Sequence, residues 1–155
     1  LLYKLDIGVY SDKNIINPLI IFSKKYASAI VTMNSAFYYY DLTDVIPQKV
    51  YLATSSGYRK ISNNKIKQIY VPNDILKQGK VEVDVDGEKV NMYDKERLLV
   101  ELIRKRKQIP FDYYKEIIAN YRRISNVLDM YKIEEYLSLY KNDANLSEAL
   151  IREVF

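Results

Sequence analysis

The sequence predicts an α+β domain, with a small, mostly antiparallel sheet, helices on one side of it and a helical C-terminal half. Three observations carry this. Strand-period alternation over residues 80–93 is interrupted by one sharp turn signal. The last third is dominated by apolar stripes at helical spacing behind Asp, Ser and Asn caps. The 155 residues, 48% hydrophobic and 28% charged, are enough for one domain with a real core.

The stretch 80–108 organises the rest. Val81, Val83 and Val85 alternate with Glu82 and Asp84, giving one apolar strand face. Asp86-Gly87 is the two-residue turn, because both central positions of a type I′ turn need positive φ. Residues 89–93 return as the second strand. Asp94 stands where an N-cap belongs, its carboxylate able to accept backbone N–H groups that have no helical partner. Tyr93 and Leu98 are spaced as a hydrophobic staple. Leu98, Leu99, Leu102 and Ile103 form the expected apolar stripe, with Arg97, Glu101, Arg104 and Gln108 placed away from it. Arg104 to Lys107 closes the helix, where cations suit the negative end of the dipole, and Pro110 stops it.

The earlier elements follow in order. Residues 1–10 read as a short strand, the last of something whose beginning is absent, and residues 11–17 as a polar linker. Leu1 in place of Met is read as the start of a fragment, or of a chain whose first residues are missing. Asn17-Pro18 opens a short helix, Asn as cap and Pro at the first helical position. Residues 29–33 are a buried-type strand. Asn34-Ser35 is expected to cap an aromatic helix over 36–40, in which Tyr38, Tyr39 and Tyr40 cannot share one face. Strands are expected at 49–54 and 65–71, the second with lysines on one face and isoleucines on the other. A helical turn is expected at 75–77, stopped by Gly79. In the last third, Asp112 should cap 113–123, with Tyr114, Ile117, Ile118 and Tyr121 inward. Ser125 should cap 127–131, a helix should run over 133–140, and Asn145 should cap 146–154.

Composition excludes several chemistries. The chain has no Cys and no His. A Ser-His-Asp triad, a Cys-His pair and a zinc hydrolase are therefore out, which leaves carboxylate or lysine chemistry. No apolar run is long enough to span a membrane, and no secretion signal opens the chain, so the expectation is a cytoplasmic protein with no membrane partner. No nucleotide-cradling glycine loop exists, and no cofactor is implied.

Three constellations remain. The acidic residues Glu82, Asp84, Asp86 and Glu88 invite a metal reading, and Asp84-Val85-Asp86-Gly87 among them resembles part of a calcium loop without its further ligands and closing Glu. With Lys89 they faintly resemble a metal-dependent nuclease core, but Glu88 and Lys89 are adjacent and so point to opposite faces. A turn-capping hairpin explains them more simply, and no metal site is assigned. The cations Arg59, Lys60, Lys65, Lys67, Arg104, Lys105, Arg106, Lys107, Arg122 and Arg123, on a chain of net charge +4, form a candidate nucleic-acid patch. Tyr93, Asp94, Glu96 and Arg97 form a structural motif, read as a cap with a helix-start ion pair; no residue is assigned as catalytic.

Several segments together resemble the AbiEi family of type IV toxin–antitoxin regulators. Gly8-Val9-Tyr10 is similar to the end of a wing. Val31-Thr32-Met33-Asn34-Ser35-Ala36-Phe37-Tyr38-Tyr39-Tyr40-Asp41-Leu42-Thr43 is similar to the family's strand, aromatic helix and "gLt" turn. Residues 44–52, DVIPQKVYL, and 90–99, VNMYDKERLL, are similar to two further segments. The resemblance covers roughly residues 1–140. It implies a remnant of a winged-helix wing and linker at 1–12 and an antitoxin domain at 13–155, non-enzymatic. It also implies operator DNA as a partner of the full-length protein, through a winged helix that would precede Leu1. The other implied partner is a nucleotidyltransferase-like toxin, neutralised without a stable complex in a system that aborts phage infection. A metal-dependent nucleic-acid-processing enzyme, and an interaction module built on Tyr38 to Tyr40, stand as alternatives.

Overall fold

The computed structural model describes residues 1–13 and 16–155. Asn14 and Ile15, in the expected linker, lie outside the described residues. The α+β class holds. The described residues form two sheets, a two-stranded one and a five-stranded one with order β5-β4-β3-β7-β6.

The first sheet is a hairpin rather than the single strand expected, with β1 (Tyr3–Asp6) antiparallel to β2 (Val9–Ser11). Gly8, at φ 76°, makes its turn possible, since that backbone is strained for any residue with a Cβ. Helix α1 (Pro18–Lys25) starts where Asn17-Pro18 placed it, the Asn17 side chain accepting from Leu19 N–H at 2.9 Å.

The central strand β3 (Ile30–Val31) is only two residues long. Both residues are buried although they point to opposite faces, so the sheet is covered from both sides at its centre rather than from one. Met33, at φ 44°, swings the chain out of the strand and directly into α2 (Met33–Tyr39). Asn34 and Ser35 therefore lie inside α2 and do not cap it. Ser35 instead completes the sheet where β3 stops. Its hydroxyl donates to the Lys49 carbonyl at 3.2 Å and accepts from Tyr51 N–H at 2.9 Å. Helix α2 ends with Asp41 at φ 58°, Asp41 N–H on the Tyr38 carbonyl and Leu42 N–H on the Phe37 carbonyl. That pattern satisfies two carbonyls the helix would otherwise leave unpaired.

Strands β4 (Val50–Ser55) and β5 (Ile66–Val71) are parallel, β3 and β7 (Glu88–Tyr93) are parallel, and β3/β4 and β6 (Lys80–Val85)/β7 are antiparallel. The five-stranded sheet is thus mixed. The β6–β7 hairpin turns as its sequence demands, with Asp86 at φ 50° and Gly87 at φ 86°.

Helix α3 (Lys95–Arg104) corrects the single-stripe expectation. Every residue from Arg97 to Ile103 is buried, Arg97 and Glu101 included. It packs against α2, α5 and α6 and is the central helix of the molecule. A 3₁₀ turn at Arg106–Gln108 then separates it from α4 (Phe111–Arg123). Pro110, not Asp112, takes the position before α4, while Tyr114, Ile117, Ile118 and Tyr121 face inward as expected. Asp129, not Ser125, caps the next helix, α5 (Met130–Ser138), by accepting from Tyr131 and Lys132 N–H. That single helix replaces the two pieces expected at 127–131 and 133–140. Helix α6 (Leu146–Val154) has the expected bounds, but the Asn145 side chain makes no capping bond. Among the described residues no helix is long and apolar enough to cross a membrane.

Candidate functional site

Asp94 is a cap in the strict sense. Its Oδ1 accepts from Arg97 N–H at 2.8 Å, and its Oδ2 accepts from the Tyr136 hydroxyl of α5 at 2.6 Å. Burial raises the carboxyl above the ordinary aspartate range, more than those two bonds and Lys132 offset.

The expected ion pair at the helix start does not form. Glu96 accepts from Asp129 N–H at 3.0 Å and so ties the start of α5 to α3. Arg97 turns inward and is 0% exposed. One guanidinium nitrogen donates to the carbonyls of Ile75 at 2.9 Å and Gln78 at 2.6 Å. A second donates to Glu101 at 3.3 Å, one helical turn on, and the third to the Tyr140 hydroxyl at 3.2 Å. Tyr140 in turn donates to Glu101. Burial alone would lower the Arg97 pKa, but the Glu101 carboxylate and the Tyr140 and Tyr93 rings' hydroxyls hold it raised.

These residues clamp the connector 72–79, which joins the two edge strands β5 and β6. Besides the two bonds from Arg97, Tyr93 donates its hydroxyl to the Leu76 carbonyl at 2.5 Å, and Asp94 N–H donates to the Gly79 carbonyl at 2.8 Å. A Cβ on Gly79 would stand 2.7 Å from Arg97 Cβ, and its φ is 83°, so only glycine fits. The connector forms consecutive turns, not the short helix expected at 75–77. The structural motif Tyr93, Asp94, Glu96 and Arg97 is therefore a brace for backbone, in which each of the four side chains has a protein hydrogen-bond partner.

Four of the ten basic residues are engaged by protein groups. Arg104 pairs with Glu101 at 3.4 Å and lies over the Tyr140 ring at 4.4 Å. Arg106 donates to the Ile103 carbonyl at 2.6 Å, closing α3. Arg122 donates to the Glu153 carbonyl at 2.6 Å, and Arg123 to Asn120 at 3.2 Å. Arg59, Lys60, Lys65 and Lys107 are exposed.

Lys67 and Lys105 come together across a cleft of about 370 Å³. One wall is the β4–β5 pair. There Tyr51 and Lys67 are register partners, so they share a face with Ile69. The opposite wall is the bend from α3 into α4, carrying Lys105, Gln108, Ile109 and Pro110, with the Tyr113 ring behind. Met33 and Asn34 line the α2 side. Burial lowers the Lys105 pKa, as do the nearby charges of Arg104, Arg97 and Lys67; only Glu101 opposes them. Glu101 is already engaged by Arg97, Arg104 and Tyr140. Neither lysine has a carboxylate partner among the described residues.

The cleft's neutral polar groups differ in what they have free. Gln68, whose side chain alternates to the face opposite Lys67, makes three bonds there: it donates to Thr54 Oγ1 and the Arg59 carbonyl and accepts from Ile61 N–H. Asn34 donates to the Tyr51 hydroxyl at 3.2 Å, which leaves its own carbonyl and the tyrosine's proton available. Sequence reasoning named both lysines, but as part of a broad patch. It missed Asn34, Tyr51 and Gln108, whose meeting depends on the parallel β4–β5 pairing. For the brace it missed Glu101, Tyr136 and Tyr140, although the four-residue spacing of Arg97 and Glu101 was a usable signal.

The acidic hairpin cluster does not converge on one site: Asp86 and Glu88 line a cleft with residues of the N-terminal hairpin and α1, and Glu82 and Asp84 do not. Glu82, Asp84, Asp86 and Glu88 are exposed; Asp84 accepts from Gly87 N–H at 2.9 Å, and Glu88 pairs with Lys24 at 3.4 Å. Among the described residues no group of three or more acidic, His or Cys side chains could hold a metal ion. No protein-family model matches the chain, and no curated protein matches it.

Proposed function

We propose that this chain is the antitoxin domain of an AbiEi-like type IV toxin–antitoxin regulator, acting in the cytoplasm by contact rather than by chemistry. The observation that carries the reading is spatial. The three longest segments with the resemblance, 31–43, 44–52 and 90–99, pack on one another. Strand β3 pairs with both β4 and β7, α2 packs on α3, and the Tyr40 hydroxyl donates to the Tyr93 carbonyl at 2.9 Å. Segments scattered over the surface would have argued against a common design. The commitment of Asp94 to capping, and the outward placement of the acidic hairpin side chains, support contact over catalysis. In this reading the full-length protein also represses its own operon through a winged helix preceding Leu1.

The test is growth. Expression of a nucleotidyltransferase-like reading frame encoded beside this gene should arrest cells, and co-expression of this chain should restore them. Arrest that persists while the chain is present and folded sinks the proposal. The two proteins should also elute separately in a pull-down, and stable co-elution would overturn the type IV assignment.

A further inference from the structure

The cleft between the β4–β5 pair and the α3–α4 bend carries an inference that needs no antitoxin. Its charge is unbalanced. Lys105 is half-buried, Lys67 stands near enough to depress it further, and the one neighbouring carboxylate is spent elsewhere. A half-buried ammonium without a counter-ion is costly, and a second lysine on the same cleft adds repulsion that a bound anion would relieve. Lysines, as compact point charges with three donors each, suit a phosphate.

A bare anion would not need the rest of the cleft. Ile69, Ile109 and Pro110, with the rings of Tyr51 and Tyr113, give apolar walls suited to a flat ring. The Asn34 carbonyl, the Tyr51 hydroxyl proton and the Gln108 amide are polar groups with capacity left to read such a ring's edge. The volume of about 370 Å³ sits at the small end of the range for small-molecule sites, roughly 300–1,000 Å³. The backbone also departs from the ordinary here. Met33, on the cleft's α2 side, holds φ at 44°, a left-handed conformation of the kind that concentrates at ligand sites.

We propose that this cleft binds a nucleoside monophosphate, its phosphate held by Lys67 and Lys105 and its base lodged against the apolar walls.

The experiment is a calorimetric titration of the whole chain with each of the four common ribonucleoside monophosphates, alongside the matching nucleosides and inorganic phosphate. At least one monophosphate should bind in the micromolar range, tenfold or more tighter than its nucleoside and than phosphate. Lys105→Gln and Lys67→Gln should each weaken that binding about tenfold, since each removes a charge-assisted contact. Lys67 is exposed on its strand, so its variant keeps the test decidable if Lys105→Gln unfolds. Phosphate binding as tightly as every monophosphate would overturn the proposal, as would the absence of any binding. So would a Lys67→Gln variant that binds like the parent. The titration contains no toxin, so its failure is separable from failure of the growth test.

Discussion

Arg97 shows how far one side chain's surroundings set its role. Exposed on a helix it would be a solvated cation worth little. Buried, it holds two connector carbonyls, one carboxylate and one hydroxyl. Arg97→Met keeps the bulk but removes the buried one of Glu101's two cationic partners and frees both carbonyls. Breaking a buried pair this way costs about 3–5 kcal/mol, so the urea midpoint should fall steeply. Asp94 carries a different signature. Its folded carboxyl is raised by burial, so the native state binds that proton more readily than the unfolded chain. Its contribution is most favourable below the unfolded value and declines as pH rises through the folded value. Asp94→Asn should therefore remove a fall in stability with rising pH across that window, read as a difference between the two melting curves against pH. Lys105 runs the opposite way. Its folded pKa is lowered, so stability increases as pH climbs from the folded value to the unfolded one. Lys105→Met should raise stability at neutral pH by about 1 kcal/mol or less, as expected where a charge is kept for binding rather than for folding.

At the scale of elements, the shortness of β3 is the feature that most shapes the sheet. Two residues cannot satisfy the length of β4, and the Ser35 hydroxyl takes over as both donor and acceptor. Ser35→Ala leaves the Tyr51 N–H without its partner. An unsatisfied backbone group of this kind costs about 1–3 kcal/mol, measurable in chemical denaturation with an unchanged slope. A cost near zero would mean that water reaches the gap. This element also marks the boundary of what the sequence made legible. Asp86-Gly87, Asn17-Pro18 and Asp94 were readable because a turn or cap is decided by neighbours a few residues away. The run at 29–33 looked like a full strand because the left-handed backbone at Met33 leaves no mark in a hydrophobic pattern. Arg97 and Glu101 were read as outward because the groups that bury them, at residues 75–78 and Tyr140, lie about twenty and forty residues away. The cleft suffered the same way: Lys67 and Lys105 meet only through tertiary packing, so charge alone offered ten equal candidates.

For the whole molecule, the question is how much depends on the N-terminal hairpin. None of the residues 1–11 is buried, and the β1–β2 sheet shares no pairing with the central one. Its ties to the core include the Lys25–Asp6 ion pair at 3.1 Å and the Asn63–Asp6 hydrogen bond at 3.4 Å. The Asp6 carboxyl is held below its ordinary range first by its own bond to Ile7 N–H and then by Lys25. An ion pair near the surface contributes about 1 kcal/mol or less. The central core, by contrast, closes around α3, whose partners α2, α5 and α6 all lie beyond residue 32. Deleting residues 1–11 should therefore lower the melting temperature by only roughly 2–4 °C, the equivalent of about 1 kcal/mol for a chain of this size. The transition should stay as sharp as the parent's, and the helical signal should be unchanged. A broad melt, or loss of the fold, would show instead that the hairpin belongs to the same cooperative unit as the sheet it flanks.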